Sequence, residues 1–375
     1  MRNRWLIALA AIGLHISIGS VYAWSVLTRP IMADMGFTMS QTTWTFSLAI
    51  LMLGLSAGFL GSFAEKIGPK KSGLLAMLFW VAGLLGTAYA LSVHNLTLLY
   101  LFYGIIGGIG LGIGYITPVS TLVKYFPNRP GFATGLAIMG FGFASLIAGP
   151  LMQFLVAQVG LVNNFIILSV IYLVIMGASS LYLKAPQPKQ PPRTTKDKST
   201  MYVHNHGILA NDAMKTWQFG ALWWIFFINI TCGIGLLSLA SPMAQETIGM
   251  TPAAAASLVG IIGIFNGGGR IAWSTISDYF GRAQTYILFF IIQIIAFYVL
   301  AETNNALTFQ VLILLIITCY GGGFACMPAY LADLYGILSR SRIWLYYSLS
   351  MLCSSICIKY NYCYNLKNIR QTRSA

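Results

Sequence analysis

Residues 253–275 read AAAASLVGIIGIFNGGGRIAWST, and Arg270 is the only ionisable side chain among them. About 20 mostly apolar residues are enough to cross the hydrocarbon core of a bilayer as a helix. The stretch therefore predicts a transmembrane helix that carries a cation. A cation at the bilayer centre costs a few kcal/mol, so it usually faces a protein cavity rather than lipid. We expect Arg270 to face such a cavity and to attract an anion there.

Composition extends this prediction to the whole chain. Its 375 residues are 57% hydrophobic and 8% charged, whereas a soluble domain carries about 25% charged residues. A water-soluble domain of this length is thereby excluded, and the predicted fold class is an all-α membrane protein. Ten segments are long and apolar enough to serve as spans 1–10, over residues 5–27, 44–63, 73–92, 97–123, 132–157, 163–183, 219–241, 253–275, 284–301 and 306–330.

The net charge of +14 is distributed unevenly along the chain. Lys and Arg residues between the spans fall in alternate loops, whereas the opposite loops carry only Arg29. Positive residues favour the cytoplasmic side, so we predict a multi-pass plasma-membrane protein, in a bacterial inner membrane, with its N-terminus in the cytoplasm. Anionic lipid headgroups, not nucleic acid, are the expected partners of this charge. A signal peptide over residues 1–23 is the alternative for span 1, but the spans that follow favour an uncleaved helix.

The polar and basic stretch 184–218 divides the spans into six and four. Its Pro-rich start and its charge are typical of a cytoplasmic linker. We predict an N-terminal six-helix bundle over 1–183, a linker over 184–218 and an incomplete C-terminal bundle over 219–336. After Gly336 the chain becomes rich in Ser, Tyr, Cys, Arg and Asn. Residues 337–375 are therefore predicted to be an aberrant tail produced by a truncation or a frameshift.

The sequence offers no signal for a cofactor or a catalytic centre. Its six cysteines show no CxxC spacing, so neither a zinc site nor a disulfide framework is predicted. A membrane-embedded enzyme would need intramembrane clusters of acids, histidines or metal ligands, and the predicted spans contain none. We therefore expect no metal, no cofactor and no enzymatic activity.

Two loops at matching places repeat a pattern of acid, glycine and base. The loop after span 2 contains Gly61, Glu65, Gly68, Lys70 and Lys71. The loop after span 8 contains Asp278, Gly281 and Arg282. In each loop the glycine permits a tight turn, the acid can cap or pair with a helix end, and the bases can form ion pairs. We predict a gating role for both loops, with ordinary positive-inside loops as the alternative.

Span 4 carries glycines at four-residue intervals. The pairs are Gly104/Gly108, Gly108/Gly112 and Gly110/Gly114. The run has no GxGxxG spacing and no GKS or GKT sequence, so phosphate binding is disfavoured. Small residues four apart let two membrane helices approach closely, and we predict that role here.

Three stretches carry a resemblance to a known family. They read GSVYAWS at 19–25, GIGYITP at 112–118 followed by KYFPNRPGFATG at 124–135, and FNGGGR at 265–270. With the six-helix half, the linker and the repeated loops, they resemble the major facilitator superfamily, whose fold is built from parallel repeats. Within it they are similar to the oxalate/formate antiporter family, although Tyr125 stands where that family has a tryptophan. The resemblance runs from about Trp5 to Gly336.

The resemblance implies a binding site. In that family an arginine on helix eight binds the substrate carboxylate, and the FNGGGR match places this role on Arg270. A guanidinium group suits a carboxylate because it can donate two parallel hydrogen bonds. The family's cavity aromatics carry over to Tyr22, Tyr115, Phe141, Tyr320 and Phe324. The alternatives are that Arg270 snorkels to the interface or pairs with Asp278, and that each aromatic packs in a helical core or against lipid.

The resemblance also implies a function, namely secondary transport of a small carboxylate by antiport or proton symport with alternating access. A monocarboxylate or dicarboxylate similar to oxalate, formate or pyruvate is the expected partner, and the chain is expected to act as a monomer. Phe141 and Phe324 stand where the family can have tyrosines, which favours a less polar monocarboxylate. His15 in span 1 could couple protons, but no Asp or Glu lies in spans 1, 4, 7 or 10 to support that role.

The chain departs from the family after Gly336. Helix eleven of the family carries a lysine that shares the substrate charge with the helix-eight arginine, and no position here matches that lysine. A non-transporting truncated remnant is therefore one alternative function. A facilitator for a neutral substrate is another, and retained uptake after Arg270→Ala would favour it.

Overall fold

The computed structural model describes residues 3–126, 130–186, 210–213, 215–303 and 305–335. Within these ranges every regular element is a helix, and no strand occurs. The long helices run over Arg4–Gly19 (α1), Trp24–Met35 (α2), Met39–Ile67 (α3), Pro69–Ser92 (α4), Gly108–Tyr125 (α6), Pro130–Tyr182 (α7), Trp217–Thr247 (α9), Pro252–Phe280 (α10), Arg282–Glu302 (α11) and Ala306–Tyr335 (α12). The short helices are Leu96–Leu99 (α5) and Ala210–Ala213 (α8).

Nine helical stretches of the described residues are long and apolar enough to cross a membrane. The longest, α7, has 53 residues and would be about 80 Å long if it were continuous. Gly160, with φ +82°, breaks it into two helices, and each is long enough to cross a core of about 30 Å. All ten predicted spans therefore correspond to helices, and the predicted all-α membrane fold is confirmed.

Local sequence sets where these helices begin and end. The Thr38 hydroxyl accepts from the amide of Gln41 to cap α3, and the Thr251 hydroxyl accepts from the amide of Ala254 to cap α10. These bonds satisfy amides that have no partner in the first helical turn. Gly68 (φ +82°) separates α3 from α4, and Gly281 (φ +97°) separates α10 from α11. Both sharp turns use a backbone conformation that glycine adopts at no steric cost.

Two spans are not regular α-helices throughout. Span 1 narrows to a 3₁₀ turn over Ser20–Ala23, between α1 and α2. Span 4 contains a π-helical stretch over Tyr100–Gly107, between α5 and α6. Both irregular types often mark functional places in a helix. The 3₁₀ turn carries Tyr22, one of the predicted site residues.

The span-4 glycines pack against neighbouring helices, as predicted. A Cβ atom at Gly108 would lie 2.6 Å from Cβ of Met52 on α3. One at Gly112 would lie 2.4 Å from the carbonyl oxygen of Leu53. These separations are too short for any side chain, so the glycines allow α3 and α6 to touch along their backbones.

The first six spans meet the last four mainly where α7 contacts α10. A Cβ atom at Gly142 on α7 would lie 2.7 Å from Cα of Gly267 on α10, so the two backbones are in direct contact. At one end of the molecule, Arg29 donates to Glu246 at 3.0 Å and so joins α2 to α9. We call this the Arg29 end. The opposite end, where both glycine turns lie, is the Gly68 end.

The predicted linker, residues 184–218, lies largely outside the described residues, and the predicted tail, residues 337–375, lies entirely outside them. The predicted boundaries of the four regions therefore stay predictions.

Candidate functional site

Arg270 is completely buried, about two thirds of the way along α10. Its Nε donates to Oδ1 of Asn266 at 3.3 Å, one helical turn earlier, and its Nη1 donates to the carbonyl of Ile138 on α7 at 3.1 Å. Its Nη2 makes no hydrogen bond of normal geometry with the described residues, and the hydroxyls of Tyr22 and Tyr115 lie near the guanidinium. A partly satisfied guanidinium that is sealed from water is costly in a protein interior. The residue therefore has unused donors inside the helix bundle.

The two alternatives for Arg270 are both wrong in this structure. The side chain does not snorkel, because none of its surface is exposed and the end of α10 lies ten residues away, about 15 Å along the helix axis. It does not pair with Asp278 either. That carboxylate binds Arg282 instead, and its side chain is 59% exposed.

Three of the predicted aromatic residues converge beside Arg270. The hydroxyl of Tyr22 lies 2.8 Å from the hydroxyl of Tyr320 on α12, which forms a hydrogen bond between the first six spans and the last four. The ring of Tyr22 meets the ring of Phe141 edge-on at 4.8 Å. The charge of Arg270 is close enough to act on both hydroxyls. The group is therefore a single polar and aromatic cluster.

Tyr115 and Phe324 complete this cluster. The ring of Tyr115 lies 5.5 Å from that of Phe141. The guanidinium carbon of Arg270 lies 5.3 Å from the centre of the Phe324 ring, a separation typical of a cation–π interaction. The structure thus brings together all six residues predicted to bind substrate. That they bind a substrate stays a prediction.

Sequence reasoning did not single out Asn266 or the Ile138 carbonyl. Asn266 is fully buried, orients Arg270 through Oδ1 and leaves its Nδ2 without a partner. Its position four residues before Arg270 was a usable signal, because such pairs lie on one face of a helix. The Ile138 carbonyl had no such signal, since it depends on how α7 packs against α10.

The second predicted gating loop forms the expected ion pairs. Arg282 pairs with Asp278 and, at 3.1 Å, with Asp333 near the end of α12. It also donates to the hydroxyl of Ser277. These contacts tie α10, α11 and α12 together at the Gly68 end. The turn at Gly281 places the arginine between the two acids.

The first loop differs from the prediction that both loops form ion pairs. Its turn at Gly68 is present, and Gly61 packs against Ile116, where a Cβ atom would lie 2.8 Å from Cδ1 of that residue. Its charged members Glu65, Lys70 and Lys71, however, are exposed and form no ion pair with any described residue. Solvation by water satisfies these charges without a partner.

We expect Arg282→Gln to lower the free energy of unfolding by about 1–2 kcal/mol, because the change leaves two carboxylates without their cation. More than half of each carboxylate is exposed, so water limits the loss. Lys70→Gln removes a positive charge from the other loop and should have almost no effect. Equilibrium unfolding in mild detergent measures both. Equal losses would contradict the assigned ion pairs.

We expect Tyr22→Phe to destabilise the ligand-free protein by about 1–3 kcal/mol, since it leaves the buried hydroxyl of Tyr320 without its partner. The double change Tyr22→Phe/Tyr320→Phe removes both hydroxyls and should cost less than the single change. Tyr298→Phe, at a side chain that is 74% exposed, is the matched control. Additive losses in a double-mutant cycle would show that the two hydroxyls do not interact.

The fold and the cluster define a class of protein, namely a many-helix membrane protein with a buried cation between two groups of spans. The chain belongs to the Major Facilitator Superfamily, whose sequence model matches residues 7–358. This match extends beyond Gly336, where the motifs that carry the resemblance end. The chain is thus a multi-pass member of a transporter superfamily.

Two relatives and one solved structure illustrate the similarity. The uncharacterized MFS-type transporter YhjX of Escherichia coli (strain K12) is 28% identical over 94% of this chain and 87% of its own length. The oxalate:formate antiporter of Oxalobacter formigenes is 25% identical over 91% of this chain and 79% of its own length. The crystal structure of a D-xylose-proton symporter superposes with a TM-score of 0.66 at 15% identity, covering 96% of this chain and 89% of its own. That structure supports the fold alone.

Proposed function

We propose that this protein is a secondary transporter of a small carboxylate, with a monocarboxylate as the preferred substrate. The carboxylate binds Arg270 between the two groups of spans and crosses the membrane by alternating access. The observation that carries the proposal is a fully buried arginine whose Nη2 has no hydrogen-bond partner and which pairs with no carboxylate among the described residues. The similarity to an oxalate:formate antiporter supports the same substrate class.

Among the described residues, no acidic side chain pairs with Arg270. The whole sequence contains eight acidic residues, and none of them lies inside any of the ten predicted spans. The two that lie nearest to it along α10 and α12, Asp278 and Asp333, are bound to Arg282. An isolated buried cation is strongly unfavourable unless an anion accompanies it. A bound carboxylate supplies the missing negative charge.

The hydrogen-bonding capacity of the site matches one carboxylate group. A guanidinium has five N–H donors, and Asn266 and the Ile138 carbonyl accept from only two of the three nitrogens. Nη2 and the Nδ2 amide of Asn266 have no hydrogen-bond partner of normal geometry among the described residues. The two N–H groups of Nη2 and Nδ2 could both donate to one carboxylate, and carboxylates favour such two-point hydrogen bonding.

The walls of the site favour a substrate with one charged end. Phe141 and Phe324 present apolar rings where a hydroxyl could otherwise stand, and Phe324 lies against the guanidinium. A second carboxylate on the substrate would need further donors or another cation. This argument favours formate-like or pyruvate-like monocarboxylates over oxalate.

Alternating access requires contacts that can separate. The hydroxyl pair Tyr22–Tyr320, the Arg270–Ile138 hydrogen bond and the glycine contact between α7 and α10 all join the first six spans to the last four. Arg29 adds an ion pair at the Arg29 end. Rocking of one group of helices against the other would open these contacts from one end at a time and expose Arg270 to that side of the membrane.

The cellular setting follows from charge and class. Positive loops at the Gly68 end would face the cytoplasm, and the N-terminus with them. We place the protein in a bacterial inner membrane as a monomer. It needs no cofactor and leaves its substrate chemically unchanged. Antiport and proton symport are both compatible with the site.

Counterflow into proteoliposomes tests the proposal. Purified full-length protein is reconstituted in vesicles loaded with unlabelled formate, pyruvate, oxalate or xylose, and entry of the same labelled compound is followed. We expect exchange of a monocarboxylate that exceeds exchange of oxalate, with none of xylose. Exchange of xylose alone would support a neutral facilitator. Inserted protein that exchanges none of the carboxylates would support a non-transporting remnant.

A further inference from the structure

His15 lies fully buried on α1, beside the carboxylate site. Both nitrogens of its ring face backbone carbonyl oxygens. Nδ1 contacts the carbonyl of Ala137 on α7, and Nε2 lies 3.0 Å from the carbonyl of Tyr115 on α6. The rings of Tyr115 and Phe141, both site residues, lie 5.4 and 6.1 Å from the imidazole. The histidine therefore touches the walls of the proposed substrate site.

A neutral imidazole cannot satisfy this arrangement. It carries one N–H donor, so one of the two carbonyl oxygens would face a nitrogen lone pair. An imidazolium donates from both nitrogens and satisfies both oxygens. We infer that His15 is a proton-binding site, and that the protein carries a proton on His15 together with a carboxylate on Arg270. This inference rests on the proposed function and makes its coupling specific.

The charged and titratable groups around His15 limit when it can hold a proton. The α1 helix packs against α6, α7 and the 3₁₀ turn. Tyr115 on α6 lies against the imidazole, and α10 adds the positive charge of Arg270. Tyr22 on the 3₁₀ turn lies against the neighbouring ring of Phe141. Two cations in one apolar interior are unfavourable without an anion. A carboxylate on Arg270 removes that obstacle, so the anion and the proton promote one another's binding.

The two sites are also joined through one turn of α7. His15 contacts the carbonyl of Ala137, and Arg270 donates to the carbonyl of the next residue, Ile138. Movement of Arg270 toward a bound anion therefore acts on the same stretch of backbone that holds His15. The transported pair, one carboxylate with one proton, carries no net charge.

Binding calorimetry in two buffers of different ionisation enthalpy counts the protons. Formate and pyruvate are titrated into purified full-length protein in mild detergent at pH 7. We expect uptake of up to about one proton for each anion bound. Affinity should rise by up to about tenfold for each unit by which the pH falls, the limit for one linked proton. His15→Gln should remove both effects. His94→Gln, at an exposed histidine near Asp34, is the matched control and should keep both.

The outcomes separate the two proposals. Binding that needs Arg270 but takes up no proton in the wild type would overturn the role of His15, even if His15→Gln did not fold. Unchanged proton uptake in His15→Gln would overturn it as well. Failure of every carboxylate to bind the wild-type protein would instead overturn the proposed function.

Discussion

Replacing Arg270 with glutamine should lower the affinity for a small carboxylate by at least about 100-fold, because loss of one partner of a buried, charge-assisted contact costs about 3–5 kcal/mol. Neither glutamine nor lysine can offer the forked donors of the guanidinium. Counterflow of formate and pyruvate in proteoliposomes measures the loss. Arg4→Gln removes an arginine from the exposed start of α1 and is the matched control, for which we expect wild-type exchange.

The same variant separates binding from structural support. The ligand-free Arg270→Gln protein should be at least as stable as the wild type, because it no longer buries a cation without a counterion. A purely structural arginine would give the opposite result, since its loss would break the contacts with Asn266 and Ile138. Lower stability combined with normal exchange would remove Arg270 from the binding site.

Replacing Gly142 with valine should shift the protein away from the conformation described here by about 1–3 kcal/mol, a 5- to 150-fold change in the conformational equilibrium. A side chain at this position would clash with the backbone of Gly267, and a backbone cannot relieve a clash by changing rotamer as a side chain can. The α7 and α10 helices would be forced apart, and transport should fall by at least about tenfold.

Proximity at the Arg29 end reports the shift. Single cysteines at positions 29 and 246, in a background without the native cysteines, are joined by a short bifunctional thiol reagent. We expect Gly142→Val to reduce the cross-linking yield. Gly135→Val makes the same change two turns earlier on α7, where a Cβ atom meets nothing within 4 Å, and should leave the yield unchanged. Equal yields from both variants would contradict a close α7–α10 contact that must open and close.

The regular part of the fold was predictable from sequence because a bilayer demands long apolar segments. The ten spans, the turns at Gly68 and Gly281 and the packing role of Gly108 and Gly112 all follow from local patterns. The 3₁₀ turn over Ser20–Ala23 and the π-helical stretch over Tyr100–Gly107 do not. Each depends on what the neighbouring helices present, which hydropathy does not encode.

The candidate site divides in the same way. Arg270 stood out because a lone cation in an apolar helix is costly, and the family resemblance supplied its aromatic neighbours. The contacts made by the Ile138 carbonyl and by the two carbonyl oxygens that face His15 could not be predicted. Every residue has a backbone carbonyl, so the sequence does not show which of them the fold brings to a site. The charge pattern of the first gating loop suggested ion pairs, but Lys70 and Lys71 are exposed and water satisfies them equally well.

Ligand-dependent thermal unfolding tests whether Arg270 binds a carboxylate inside the membrane domain. Wild-type protein and Arg270→Gln are heated in mild detergent with formate, pyruvate, oxalate or chloride at one ionic strength. We predict that a monocarboxylate raises the unfolding temperature of the wild type in a saturable way and leaves that of Arg270→Gln unchanged. Equal stabilisation of both proteins, or no stabilisation of the wild type by any carboxylate, would contradict carboxylate binding at Arg270.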